Sequence, residues 1–271
     1  MMSSSLSDQT RYAKTLRQLT KQCRQCRDLF GNDEAVSKLI KPLDVPDNAC
    51  LDLDLYLDLQ LDIITTVFNI SVPKGNRKVV AENLRVIPAL VKALRTGTSQ
   101  TKSNAAAALF NLSKLDSNRT LIHESGALGL LIRLVGEGNS ETMTDVCKAM
   151  YMLCWDRANT VAHREKAVSV GAVRVILRKV KNGDFLDLLL PVLTTLSSLP
   201  SAAEEMGKMD AVACLLKIMM ESGDKNSNAL KSYAAILFDI CSFYKKKLHA
   251  RTVPYPVWGT QKGRKKRHWI V

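Results

Sequence analysis

Long apolar runs are missing from this chain of 271 residues. Its most apolar stretch, Phe185 to Leu199, is interrupted by Asp187 and Pro191, so no membrane-spanning helix is expected. Aromatic residues are scarce at 6% while apolar residues reach 46%, so a core must be filled by Leu, Val, Ile and Ala, which suits helix packing. Catalytic spacings are lacking too. The four histidines, His123, His163, His249 and His268, form no HExxH pattern, no GxSxG occurs, and Gly136-Glu137-Gly138 has neither a Walker lysine nor a preceding strand. His123 reads as a surface residue of a short helix. Seven irregularly spaced cysteines fit free thiols in a reducing compartment. The single CxxC, Cys23 to Cys26, has no second pair to complete the four ligands of structural zinc. No metal or cofactor is expected, and no nucleophile stands with a base, which argues against catalysis by this chain alone. The opening MMSSSLSDQT lacks the basic flank and apolar core of a signal peptide. Cytoplasmic and/or nuclear localisation follows.

Charge is lacking in balance only at the ends. Residues 244–271 hold nine Lys/Arg and no acid, residues 1–42 hold eight against four, and residues 43–243 balance at 22 against 22. The net +13 therefore belongs to the termini, and a general nucleic-acid surface is not expected.

What is present is repetition. Within Ser103 to Val135, Ala105, Ala108, Leu109 and Leu112 fall at i, i+3, i+4, i+7 and mark one apolar helix face. A polar turn (Asp116, Ser117, Asn118) leads to a short helix, Arg119 to Glu124, closed by Gly126, which tolerates a left-handed backbone. Leu128, Leu131, Ile132 and Val135 then resume helical spacing. The position of Leu112 recurs at Leu19, Ile70, Leu153, Leu196 and Ile240, with intervals of 51, 42, 41, 43 and 44 along the series. The start of the following helix recurs at Val36, Ile87, Leu128, Val173 and Val212. Three helices per unit of about 40 to 45 residues predict an all-α stacked solenoid, because no unit can cover its own apolar faces. A helical bundle with accidental spacing is the rival reading.

In order, the chain predicts a lone helix at Asp8 to Gln22, with Tyr12, Leu16 and Leu19 on one side. Leu29 to Leu43 follows, stopped near Pro42. Leu51 to Asp62 alternates as LDLDLYLDLQLD, a period of two that would suggest a strand. Asp disfavours strands and a lone strand has no partner, so a helix from about Leu55 to Ser71 is expected instead. Three regular units come next: Asn76 to Leu94 with Ser99 to Ser113, Asn118 to Gly136 with Glu141 to Cys154, and Ala162 to Lys181 with Asp184 to Ser198. Pro191 is expected to remove a backbone hydrogen bond and bend its helix. Ala202 to Glu221 and Asn228 to Phe243 close the array. Residues 1–7 read as a disordered leader, and 244–271 as a basic, partly disordered tail in which Arg264, Lys265, Lys266 and Arg267 could form a nuclear import signal.

Phrases such as NAAAALFNLS, SNRTLIHESGAL and ENLRVIPALVKAL resemble the armadillo repeats of plant U-box/armadillo (E3 ubiquitin ligase) proteins, over about Asp8 to Phe243. The resemblance implies a right-handed superhelix of about five units whose third helices line a concave groove. It also implies that the repeats bind receptor-like kinases or ubiquitination substrates. A U-box is not expected in this chain, since only a short polar leader precedes the first helix. Carried over, the Asn of the ALxNLS pattern falls on Gln18, Asn69, Asn111, Met152, Thr195 and Asp239. One turn earlier stand Lys14, Thr65, Ala107, Lys148, Pro191 and Ala235, and another turn back Arg11, Asp62, Asn104, Asp145, Asp187 and Lys231. Importin-like relatives place Trp in the middle row to stack on bound lysines; none of the six is Trp, which disfavours a receptor for basic signals. The candidate protein-binding groove is thus Arg11, Lys14, Gln18, Asp62, Asn69, Asn104, Ala107, Asn111, Asp145, Lys148, Met152, Asp187 and Asp239. The expected role is a monomeric interaction scaffold or adaptor; the alternative is part of a ubiquitin ligase whose U-box lies elsewhere.

Overall fold

A computed structural model describes residues 5–44, 52–155, 161–221 and 227–252. All regular structure among them is helical: α1 (Leu6–Gln22), α2 (Arg24–Leu29), α3 (Asp33–Ile40), α4 (Leu53–Ser71), α5 (Asn76–Glu82), α6 (Val86–Thr96), α7 (Ser99–Leu112) and α8 (Asp116–Glu124). There follow α9 (Ala127–Glu137), α10 (Ser140–Cys154), α11 (Val161–Ser169), α12 (Ala172–Lys181), α13 (Leu186–Ser197), α14 (Pro200–Lys208), α15 (Ala211–Glu221) and α16 (Ser227–Thr252). After α1 these fall into five triplets, each a short helix, a medium helix and a long one.

Side-chain caps decide where several helices begin. The Asp52 carboxylate accepts from the Leu55 N–H at 3.1 Å and Asn32 accepts from Ala35 at 3.0 Å, while Thr98 does the same for Thr101 at 3.2 Å. Asp52 thereby turns the alternating leucine-aspartate stretch into a helix N-terminus. The strand pattern is overruled, as expected.

The long helices α1, α4, α7, α10, α13 and α16 lie side by side and pack on one another more closely than do α3, α6, α9, α12 and α15. Closer packing on one side bends the stack towards it, so the long helices form the inner wall. Ile70, Leu112, Leu153, Leu196 and Ile240 are all buried within this layer, and Val36, Ile87, Leu128 and Val173 within the medium helices. The two landmark series are therefore the two seams of one continuous core.

Polar side chains sew successive units together. Asn118 Nδ2 donates to the Leu112 carbonyl at 3.0 Å and to the Arg77 carbonyl one unit back at 2.9 Å; Asn76 repeats this with Ile70 at 2.9 Å and Arg27 at 2.8 Å. Arg119 is buried and caps two helix ends at once, donating from Nε to Ser113 O at 2.8 Å and from Nη1 to Trp155 O at 2.7 Å. Gly126 (φ 79°) and Gly171 (φ 86°) take the left-handed backbone between short and medium helices, and Asp210 (φ 52°) takes it in the last unit.

Some expectations change. Leu19 is 43% exposed and Tyr12 46%, because α1 turns Ala13 and Thr20 inward against α4. Leu29 ends a short helix instead of starting one: Cys23 caps α2 through its sulfur, which accepts from the Cys26 N–H. The helix expected from Asp184 starts at Leu186 and runs unbroken through Pro191. The last helix passes the expected end at Phe243 and reaches Thr252, held by Lys247 to Glu204 at 3.1 Å. His123 is buried, not at the surface: its Nε2 lies 3.0 Å from Leu153 O and its ring stacks on His163 at 3.9 Å. Arg264, Lys265, Lys266 and Arg267 lie outside the described residues.

Candidate functional site

The inner wall brings the row that begins at Gln18 into register, but much of it faces between helices. Asn69 is buried, and its Nδ2 donates to Thr20 Oγ1 on the preceding long helix at 3.1 Å. Asn111 is also buried and donates to Ser71 Oγ at 3.2 Å, while at the far end Ser197 donates to Asp239 Oδ2 at 2.7 Å. Thr20, Ser71 and Ser197 each follow a position of the landmark series, so the contacts make a repeated ladder between units. Each of these amides thus already spends an N–H inside the stack, and Asn111 belongs to internal packing as well as to the wall. Asn111→Ala should lower stability by about 1–2 kcal/mol in urea denaturation, contrary to the neutral effect expected from a free groove residue.

Other candidates divide in the same way. Ala107 is buried; Asn104 is half-buried and donates to Thr65 Oγ1 at 2.7 Å. Asp145 accepts from Ser103 at 2.6 Å. Asp62 is buried and meets Arg17 at 2.7 Å, yet burial raises its pKa above the ordinary carboxylate value more than Arg17 and Lys14 lower it. Arg11 is exposed, ion-paired to Asp8 at 3.2 Å and set over the Tyr12 ring. Lys14, Gln18, Lys148 and Asp187 are exposed, and Met152 is half-buried. These last five, with the visible parts of Asn104, Asp145 and Asp239, are what a partner could touch.

The ladder stops where Met152 and Thr195 replace its hydrogen-bonding residues, and there the wall opens. A cavity of about 440 Å³ is lined by Tyr151, Trp155, Arg164, Pro191, Thr194 and Ser198 among others, between α10, α11, α13 and α16. The Tyr151 and Trp155 rings are 5.3 Å apart, with Trp155 40% exposed. Arg164 Nη1 donates to Ser198 Oγ at 2.9 Å, and burial lifts the Tyr151 hydroxyl above its ordinary pKa. Beside this opening, Lys114 Nζ reaches Asn111 Oδ1 at 2.9 Å and sits 4.1 Å from the Phe110 ring centre. The sequence reading missed Tyr151, Trp155, Lys114 and Arg164. A signal was available: Phe68, Phe110, Tyr151 and Phe238 each precede a position of the Asn row, and Lys114 and Trp155 each follow one by three residues.

Repeat architecture, seams and inner wall together define an armadillo-repeat protein, a right-handed α-solenoid. The Armadillo/beta-catenin-like repeat model matches residues 73–114, which are the turn before α5, then α5, α6 and α7. Among solved structures, the designed armadillo repeat protein YIII(Dq)4CqI superposes with a TM-score of 0.70 at 16% identity, covering 88% of this chain and 96% of its own. Another design, YIII(Dq.V1)4CPAF in complex with peptide (KR)4, superposes with a TM-score of 0.67 at 15% identity, covering 88% and 100%.

The sequence relationship is narrower: the chain is similar to plant U-box proteins. U-box domain-containing protein 9 of Arabidopsis thaliana is 43% identical over 244 residues, 88% of this chain and 50% of that protein. Putative U-box domain-containing protein 46 of the same plant is 37% identical over 80% of this chain and 46% of its own length. The chain spans about half the length of these curated relatives.

Proposed function

We propose that the chain is a protein-interaction scaffold that holds a protein partner against its inner wall. The observation that carries this is the opening at Tyr151, Trp155 and Lys148, where aromatic and charged groups gather beside a cavity in the wall. A solenoid offers a long concave surface suited to an extended segment, and a designed neighbour of the same fold is in complex with a peptide. The partner we propose is a receptor-like kinase or a ubiquitination substrate, as the resemblance to plant U-box/armadillo proteins implies, met in the cytoplasm or nucleus. Affinity capture with the full chain tests the surface. Tyr151→Ala together with Lys148→Glu should release the captured partner, and Arg133→Glu, an exposed change on the outer helix α9, should retain it. Equal capture by both variants would refute the inner wall as the docking face.

A second reading has its own support, since the chain matches about half of relatives named for their U-box. In it, the repeats are the substrate-holding part of an E3 ubiquitin ligase. Ubiquitin chains formed by the purified 271-residue chain with E1 and E2 would favour ligase activity in this chain itself; none are expected from a scaffold.

A further inference from the structure

The inner wall does not present its charges evenly. Three of its carboxylates are held inside the stack, Asp62 by Arg17, Asp145 by Ser103 and Asp239 by Ser197. The cations near the opening are not held in this way. Among the described residues Lys148 has no carboxylate at ion-pair distance, and Lys114 meets the neutral Asn111 oxygen and the Phe110 ring. Arg77, near enough for its charge to act on Lys114, donates to Val72 O at 3.1 Å, with its Nε buried and without a partner among the described residues. Burial and then the charges of Arg77 and Lys148 hold Lys114 below the ordinary lysine pKa, so these cations feel one another's repulsion. Arg164, in the cavity lining, brings a fourth positive charge, its Nε also buried and without a partner among the described residues. Asp187, one turn before Pro191, is the exposed acid of that helix and has no ion pair among the described residues.

We propose that the middle of the groove recognises an extended acidic peptide, with anionic side chains over Lys114 and Lys148 and one large apolar or aromatic side chain in the Tyr151–Trp155 cavity. This deepens the scaffold reading and rests on it. An anion there relieves the repulsion among Arg77, Lys114 and Lys148, whereas a lysine or arginine adds to it. The cavity walls supply ring faces and room for a large side chain, so apolar contact and charge act side by side. The sign is opposite to that of the (KR)4 peptide bound by the designed neighbour. Carboxylates and phosphoserine present the same anionic chemistry, and both fit this description.

Fluorescence anisotropy on the full chain tests it with four labelled probes: a glutamate-rich peptide with a central tryptophan, its alanine version, its phosphoserine version, and (KR)4. The acidic tryptophan peptide should bind and (KR)4 should not. Lys114→Glu with Lys148→Glu should weaken acidic binding by about tenfold or more, with helicity by circular dichroism unchanged. Trp155→Ala should weaken the tryptophan probe and leave the alanine probe as it was. Equal affinity for glutamate and phosphoserine supports carboxylate recognition, and tighter phosphoserine binding supports a phosphorylated ligand. If (KR)4 binds as well as the acidic peptide, or the double variant changes nothing, the acidic assignment falls while a peptide groove stands. If no probe binds, the assignment and the groove reading fall together.

Discussion

Leu112→Ala is expected to cost about 2–5 kcal/mol of folding stability, measured as a lower urea midpoint. Leu112 is completely buried at the end of α7, which packs on α4 and α10, so truncation leaves a void between three long helices. Side chains from two neighbouring units depend on that contact, and partial collapse cannot fill it without shifting a helix. Leu19 occupies the same place in the repeat but is 43% exposed, and Leu19→Ala should cost less than about 1 kcal/mol. Equal losses at the two sites would mean that burial does not set the cost of truncation.

Stability should also fall between neutral and mildly acidic pH through His123. Burial is the main reason its pKa drops from an ordinary 6.5 to about 4, and the neighbouring His163 ring and Arg119 guanidinium further disfavour a charge. The hydrogen bond to Leu153 O acts the other way but is outweighed. In the unfolded chain the imidazole takes a proton near pH 6.5, while in the folded protein it resists until about 4. The unfolded state therefore binds more protons in that window, and stability present above it is lost as pH falls through it. The loss should approach roughly 3 kcal/mol by the lower end. His123→Gln keeps a donor without the titration, so its urea midpoint should fall less over the same range. Parallel pH profiles would contradict this assignment.

Much of this architecture was legible because hydrophobic spacing is a property of the chain itself. Ile70, Leu112, Leu153, Leu196 and Ile240 announce their seam by period alone, and Asp52, Asn32 and Thr98 mark helix starts by residue type. What did not show was which neighbour each side chain meets. Asn69 and Asn111 look like free amides in a row, and only packing of α4 on α1 and of α7 on α4 reveals Thr20 and Ser71 as their acceptors. Burial of His123 arises from α11, forty residues further on, bringing His163 across it. Tyr151 and Trp155 read as ordinary helix residues until the ladder is seen to lapse at Met152 and Thr195. Leu19 shows the reverse error, since periodicity assigned it to a seam whose other side is not packed among the described residues.

Hydrogen–deuterium exchange of the full chain, alone and with its captured protein partner, tests the account at its centre. Protection is predicted on α7, α10 and α13, strongest around Lys114, Lys148 and Trp155, with α6, α9 and α12 unchanged. Protection confined to α6, α9 and α12 would place the partner on the outer surface and contradict the account.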